Sequence, residues 1–275
     1  MKCLRHMFVA TAASLSVGCA TVGNAIAVEH PSAAVKAEAL DHALVVLHPY
    51  HPGRDDAQLV TTAKGLMGKS HSGFDAALFN VDGKYSFVFY GYNNGRDLNE
   101  VIRAGFIGVP RQQLREADAF VEKAMETYNI KPADMQFIGH SLGGYIAKAV
   151  APHAGAPEVW AFNSPGLKKR DPARIERLLG KPANDTAPLV YNFNSRQDVV
   201  GLWGHQPGKI YEVDTPRRPH AMVEMAKALG GENVPLLKEK KPGVISRMFG
   251  RIANSKPVQK ILHNRFRREP PKLLN

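Results

Sequence analysis

Met135-Gln136-Phe137-Ile138-Gly139-His140-Ser141-Leu142-Gly143-Gly144 is the stretch on which the fold turns. Residues 135–138 read as a buried strand, and residues 145–150 open a helical pattern. Between them stands a serine with glycine two positions before it and two after. A serine on a sharp strand-to-helix turn needs small residues at both positions, because a Cβ there would strike neighbouring backbone. The pattern G-x-S-x-G is weak alone, but strand before and helix after supply the context that a nucleophilic serine requires. Ser141 is therefore the candidate nucleophile, and the fold expected around it alternates strands with helices.

The flanking chain agrees. Residues 43–48, 86–92, 136–139, 159–163, 189–194 and Lys209–Val213 form short apolar runs bounded by turn residues, as buried parallel strands do. Residues 111–129 are the clearest helix, with Leu114, Ala117, Val121, Ala124, Met125 and Tyr128 at helical spacing. Residues 55–67, 172–179 and 220–229 are further helix candidates. The expected class is α/β, with a mostly parallel central sheet flanked by helices and ligands bound at the carboxyl ends of its strands.

A serine hydroxyl is a poor nucleophile near neutral pH. It needs a base within hydrogen-bond reach, and the base needs an orienting carboxylate. On this type of fold the chain order is Ser, then Asp or Glu, then His. Asp198 follows the strand-like residues 189–194 and is the candidate acid; Asp214, also after an apolar run, competes with it. His220 is the favoured base because it lies beyond the last core strand. His205, in a Gly/Pro-rich loop, is the alternative, and His263 lies in the basic C-terminal stretch. His140, beside the serine, is expected only to pack under the turn.

The 275 residues are 44% hydrophobic and 22% charged, enough to build a core, which excludes wholesale disorder. The formal charge of +11 is unevenly spread. Residues 238–275 hold eleven Lys and Arg against Glu239 and Glu269, a net of +9, and the first 27 residues add Lys2 and Arg5. Residues 28–237 are neutral, which argues against a nucleic-acid partner for the body. Two apolar stripes in the tail (Val244, Ile245, Met248, Phe249, Ile252, then Val258, Ile261, Leu262, Phe266) alternate with basic residues. Such a pair of amphipathic helices either lies on an anionic membrane surface or docks on the body.

Lys2 and Arg5, a short apolar run from Phe8 to Val17 and Ala25-Ile26-Ala27 follow the order of a secretory signal peptide. The division expected is a signal peptide at 1–27, a catalytic body at 28–237 and a basic tail at 238–275. The expected destination is outside the cytoplasm, in the periplasm or secreted. Ser16-Val17-Gly18-Cys19 resembles a lipobox and leaves lipidation at Cys19 as an alternative to cleavage at Ala27. Cys3 and Cys19 are the only cysteines, so the body has no thiol chemistry. No metal-ligand cluster, dinucleotide fingerprint or phosphate loop is present, and no metal or other cofactor is implied. The oligomeric state is not set by these features.

Residues 137–144 are similar to the serine turn of the class 3 lipases, the fungal-type triacylglycerol lipase family of the α/β-hydrolases. Four other stretches resemble that family in the same order. Phe87-Val88-Phe89-Tyr90-Gly91-Tyr92-Asn93-Asn94 looks like its strand ending in Arg-Gly-Thr, with Tyr90 and Tyr92 in place of Arg and Thr. Ala161-Phe162-Asn163-Ser164-Pro165-Gly166 looks like its strand-plus-Ser-Pro segment. Asp198-Val199-Val200 and Pro219-His220-Ala221-Met222 look like its Asp-x-Val turn and its short histidine block. The resemblance spans residues 80–230. It implies an oxyanion hole built from the backbone N–H of Leu142 and a second from Tyr92 or its neighbour Gly91. It also implies hydrolysis of carboxylic esters, of lipids above all, through an acyl-serine formed by Ser141, His220 and Asp198. A thioesterase or acyltransferase would use the same three residues, and a lipid- or envelope-binding protein could use the same scaffold without catalysis.

Overall fold

The computed structural model describes residues 28–48, 56–91, 109–198, 200–215, 218–231 and 234. The expected signal peptide, Tyr92, His263 and the tail lie outside the described residues. Eight strands form one sheet in the order β1-β8-β7-β6-β5-β4-β3-β2. They are β1 (Val28–Glu29), β2 (Ala57–Thr62), β3 (Ala76–Val81), β4 (Lys84–Phe89), β5 (Met135–His140), β6 (Glu158–Phe162), β7 (Leu189–Ser195) and β8 (Lys209–Val213). From β4 to β1 every neighbouring pair is parallel, and β2 and β3 continue the sheet antiparallel. The expected α/β class and mostly parallel sheet are what the chain adopts.

Helices cover both faces. The sheet's alternation sends consecutive residues to opposite cores. Phe87, Phe89 and Phe137 enter one core with Leu114, Phe120, Tyr145 and Ile146, under α3 (Arg111–Tyr128) and α4 (Leu142–Ala154). Val88, Ile138, Trp160, Phe162 and Phe193 enter the other, under α1 (Ala33–Leu47) and α6 (Met222–Ala228). In this second core Trp160 stacks on Tyr191 at 4.3 Å and Phe193 on Tyr211 at 5.0 Å. The two remaining α-helices among the described residues are α2 (Ala63–Met67) and α5 (Asp171–Leu179). None of the described helices is long and apolar enough to cross a membrane.

Two expected elements are corrected. Residues 43–48 are the end of helix α1, not a strand. The run ALVVLH is apolar without a readable period, and a short apolar run does not separate a strand from a buried helix end. The helix begins further back, where the Ser32 hydroxyl accepts from the Val35 N–H at 3.3 Å. Residues 57–62 are strand β2, not the first half of a helix. Val60, Thr61 and Thr62 are β-branched and favour extended backbone. The Thr62 side chain then caps the short α2 by accepting from the Gly65 N–H at 3.0 Å.

Candidate active site

Strand β5 ends at His140, and α4 begins at Leu142. Ser141 makes the turn between them in one residue, with φ 56° and ψ −125°. This left-handed backbone is strained for a residue with a side chain. The turn is tight enough that its glycines are obligatory. A Cβ on Gly139 would lie 2.4 Å from the Gly143 carbonyl, and one on Gly143 would lie 2.0 Å from the Phe89 oxygen. The steric reason read from the sequence thus holds at both positions. Leu142 is the first residue of α4, where a backbone N–H has no partner within the helix. A Cβ on Gly91 would lie 3.2 Å from the Ser141 Cβ, so the chain after β4 passes close to the serine there.

The structure brings Ser141, His220 and Asp198 together. The Ser141 hydroxyl donates to His220 Nε2 at 2.8 Å, and His220 Nδ1–H donates to Asp198 Oδ2 at 3.0 Å. Asp198 is 2% exposed and Ser141 5%, while the His220 side chain is 31% exposed at the rim. The second carboxylate oxygen of Asp198 accepts from the Val200 N–H at 3.2 Å. Burial alone would lower the His220 pKa. The Asp198 charge and hydrogen bond outweigh it and leave the ring above its ordinary 6.5.

The competitors are elsewhere. His205 is exposed, and its backbone bridges Leu167. Asp214 has a side chain 77% exposed and faces Arg196 Nε at 3.5 Å. His263 and Tyr92 lie outside the described residues.

Three further residues near the site were not singled out as functional by sequence reasoning. The ring of His140, expected only to pack, bonds through Nε2 to the His220 carbonyl at 2.8 Å. Asn163, directly after β6, donates from Nδ2 to the Pro219 carbonyl at 2.8 Å and accepts from the Ser195 N–H at 2.8 Å. Lys148, on α4, is fully buried, and burial drives its pKa well below the ordinary lysine value. Its Nζ donates to Gln206 Oε1 at 2.6 Å and Asn192 Oδ1 at 3.2 Å. Gln206 then donates to the carbonyls of Ser164 and Gly201. This network ties the helix behind the serine to the loop behind the acid. A lone lysine in the apolar run Tyr145-Ile146-Ala147-Lys148-Ala149-Val150 was the signal for it.

A triacylglycerol lipase from Penicillium expansum is similar over 68% of this chain and 82% of its own, at 13% identity and a TM-score of 0.47. A thermophilic esterase from Thermogutta terrifontis is similar over 56% of this chain and 75% of its own, at 15% identity and 0.32. A carboxyl esterase from Tuber melanosporum is similar over 78% and 90%, at 13% identity and 0.33. No curated protein sequence matches the chain. A family model described as phospholipase-like, Tle-like phospholipase domain, matches residues 40–228. That span holds the serine turn, the acid and the histidine, and by it the chain belongs to the Tle-like phospholipase domain family, a lipase-like α/β-hydrolase whose chemistry is serine ester hydrolysis.

Proposed function

We propose that the protein hydrolyses the carboxylic ester of a phospholipid, with Ser141 as nucleophile, His220 as general base and acid, and Asp198 as the group that orients His220. The observation that carries this reading is the unbroken hydrogen-bond relay from the Ser141 hydroxyl through the His220 ring to the buried Asp198. The family's phospholipase-like description supports the substrate class.

The steps follow from the geometry. As Ser141 Oγ bonds to the ester carbon, its proton passes to His220 Nε2. Asp198 holds the ring in the tautomer that leaves Nε2 free to accept, and stabilises the imidazolium formed. The negative charge gathers on the former carbonyl oxygen, where the Leu142 N–H, which has no partner within its helix, is a suitable donor. One such donor is typically worth ~3 kcal/mol of transition-state stabilisation. His220 gives its proton to the departing alcohol, leaving Ser141 acylated. Water then attacks the acyl carbon, losing its proton to His220, which returns it to Ser141 as the fatty acid leaves.

The base works only when neutral, so activity rises with pH through the His220 pKa. With that pKa raised, the acid limb of kcat/KM lies above pH 6.5. Both raising influences come from Asp198, so Asp198→Asn moves the limb to lower pH while cutting the rate. A limb unmoved in that variant would remove His220 as the titrating base.

Export through the signal peptide and contact of the tail with an anionic surface belong to the same proposal. They are supported by the order of features in residues 1–27 and the net +9 of residues 238–275. One experiment tests substrate and surface together. One portion of the purified protein is treated with a fluorophosphonate, and separate untreated portions are given vesicles of phosphatidylglycerol, triglyceride emulsion or a soluble p-nitrophenyl ester. The expected result is labelling and release of one fatty acid per lysophospholipid. A shortened protein lacking residues 238–275 is expected to release less from vesicles at an unchanged rate on the soluble ester. Absence of labelling would make the protein a binding module, and hydrolysis of triglyceride alone would move the substrate to neutral lipids.

A further inference from the structure

His220 sits in a turn between β8 and α6, so no helix or sheet ladder holds its backbone. Arg218, two residues before it, has φ 43°, and the Ala221 N–H closes the turn on the Arg218 carbonyl at 2.8 Å. The carbonyls of Pro219 and His220 therefore need partners from outside the turn. Each has one. Asn163 Nδ2 donates to the first at 2.8 Å, and His140 Nε2 meets the second at 2.8 Å. A carbonyl only accepts, so Nε2 of His140 carries the proton in this contact.

These two side chains come from adjacent strand ends. His140 is the last residue of β5 and pairs in register with Phe162, the last of β6; Asn163 follows directly. His140 also precedes the nucleophile, whose own N–H donates to the Phe162 carbonyl at 2.9 Å. Asn163, fully buried, accepts from the Ser195 N–H with its other atom, Oδ1, three residues before Asp198. Its φ of 45° is one that asparagine tolerates better than most residues. The same pair thus touches the strand of the nucleophile, the strand of the acid and the loop of the base.

We propose that His140 and Asn163 are positioning residues that clamp two successive carbonyls of the base loop and so hold the His220 ring in line between Ser141 and Asp198. This rests on the catalytic reading given above. Burial, and the neighbouring His220 ring 5.0 Å away, lower the pKa of His140 to about 3. It therefore stays neutral, keeps its donor across the working range and does not compete for the proton of Ser141.

Steady-state kinetics on a soluble p-nitrophenyl ester test the clamp. His140→Met fills similar space without a donor, and His140→Gln returns an N–H of similar reach. Asn163→Asp keeps the acceptor for Ser195 and removes the donor to Pro219. Misplacing a reacting group by about 1 Å costs up to about a hundredfold. His140→Met is expected to lower kcat by about tenfold to a hundredfold with KM nearly unchanged. Asn163→Asp is expected to act in the same way, and His140→Gln to recover most of the kcat. Full kcat in His140→Met, or His140→Gln as slow as His140→Met, would overturn the clamp, since packing alone favours methionine over glutamine. If His140→Met does not fold, Asn163→Asp decides: wild-type kcat there overturns the proposal. A wild-type protein that neither turns over the ester nor labels at Ser141 is a separate result. It overturns the catalytic reading, and the clamp's role falls with it.

Discussion

Alanine at Ser141 lowers turnover of a p-nitrophenyl ester by roughly four orders of magnitude or more, while the protein keeps its fold. The reason is specific to the geometry. The hydroxyl at 2.8 Å from His220 Nε2 is the atom that would carry the acyl group, and no other nucleophile approaches that ring among the hydrogen bonds described. The residual rate would come from oriented binding and from the Leu142 donor. The measurement is kcat on purified protein, with melting temperature as the control for folding. Wild-type turnover in a folded Ser141→Ala protein would move the chemistry away from this turn.

The second large effect is expected at His220. His220→Ala removes the acceptor for the serine proton and strands Asp198, which is nearly inaccessible to water. The rate is expected to fall about as far as with Ser141→Ala, because members of such a relay act as a unit and their losses do not add. The double variant is therefore no slower than either single one. His205→Ala is the control. That ring belongs to an exposed residue on a loop that bridges Leu167, and its loss leaves kcat within about twofold, as for a surface substitution. A large loss with His205→Ala and none with His220→Ala would reverse the assignment of the base.

Much of this arrangement was legible in the sequence because the decisive constraints are local. Gly139 precedes the serine for a reason that operates within one turn, the spacing of Gly143 marks the same turn although its own clash is with Phe89 on β4, and a strand–serine–helix order is visible in the residues themselves. Strands β5 to β8 are apolar runs with clear turn residues at their ends. The hairpin of β3 and β4 also has a local signal, Asp82-Gly83, both with positive φ. What escaped is non-local. ALVVLH belongs to a helix because a sheet face lies beneath it. His140 and Asn163 gain their roles from a carbonyl pair about 60 to 80 positions away in the chain. Lys148 gains its partners from a strand and a loop that its own helix pattern does not mention. In the sequence His220 is favoured over His205 by its place beyond the last core strand, while Asp198 and Asp214 both follow apolar runs. The structure separates these pairs by burial and contact.

The backward-bent backbone at Ser141 has a consequence for how this position should be probed. Few side chains tolerate φ 56° without loss elsewhere. A saturation library at residue 141 would mix two kinds of failure, chemical silence and collapse of the turn, and valine or isoleucine would report mostly the second. Dead clones from such a screen are ambiguous unless abundance is counted alongside activity, and the small replacements are the ones whose silence can be interpreted.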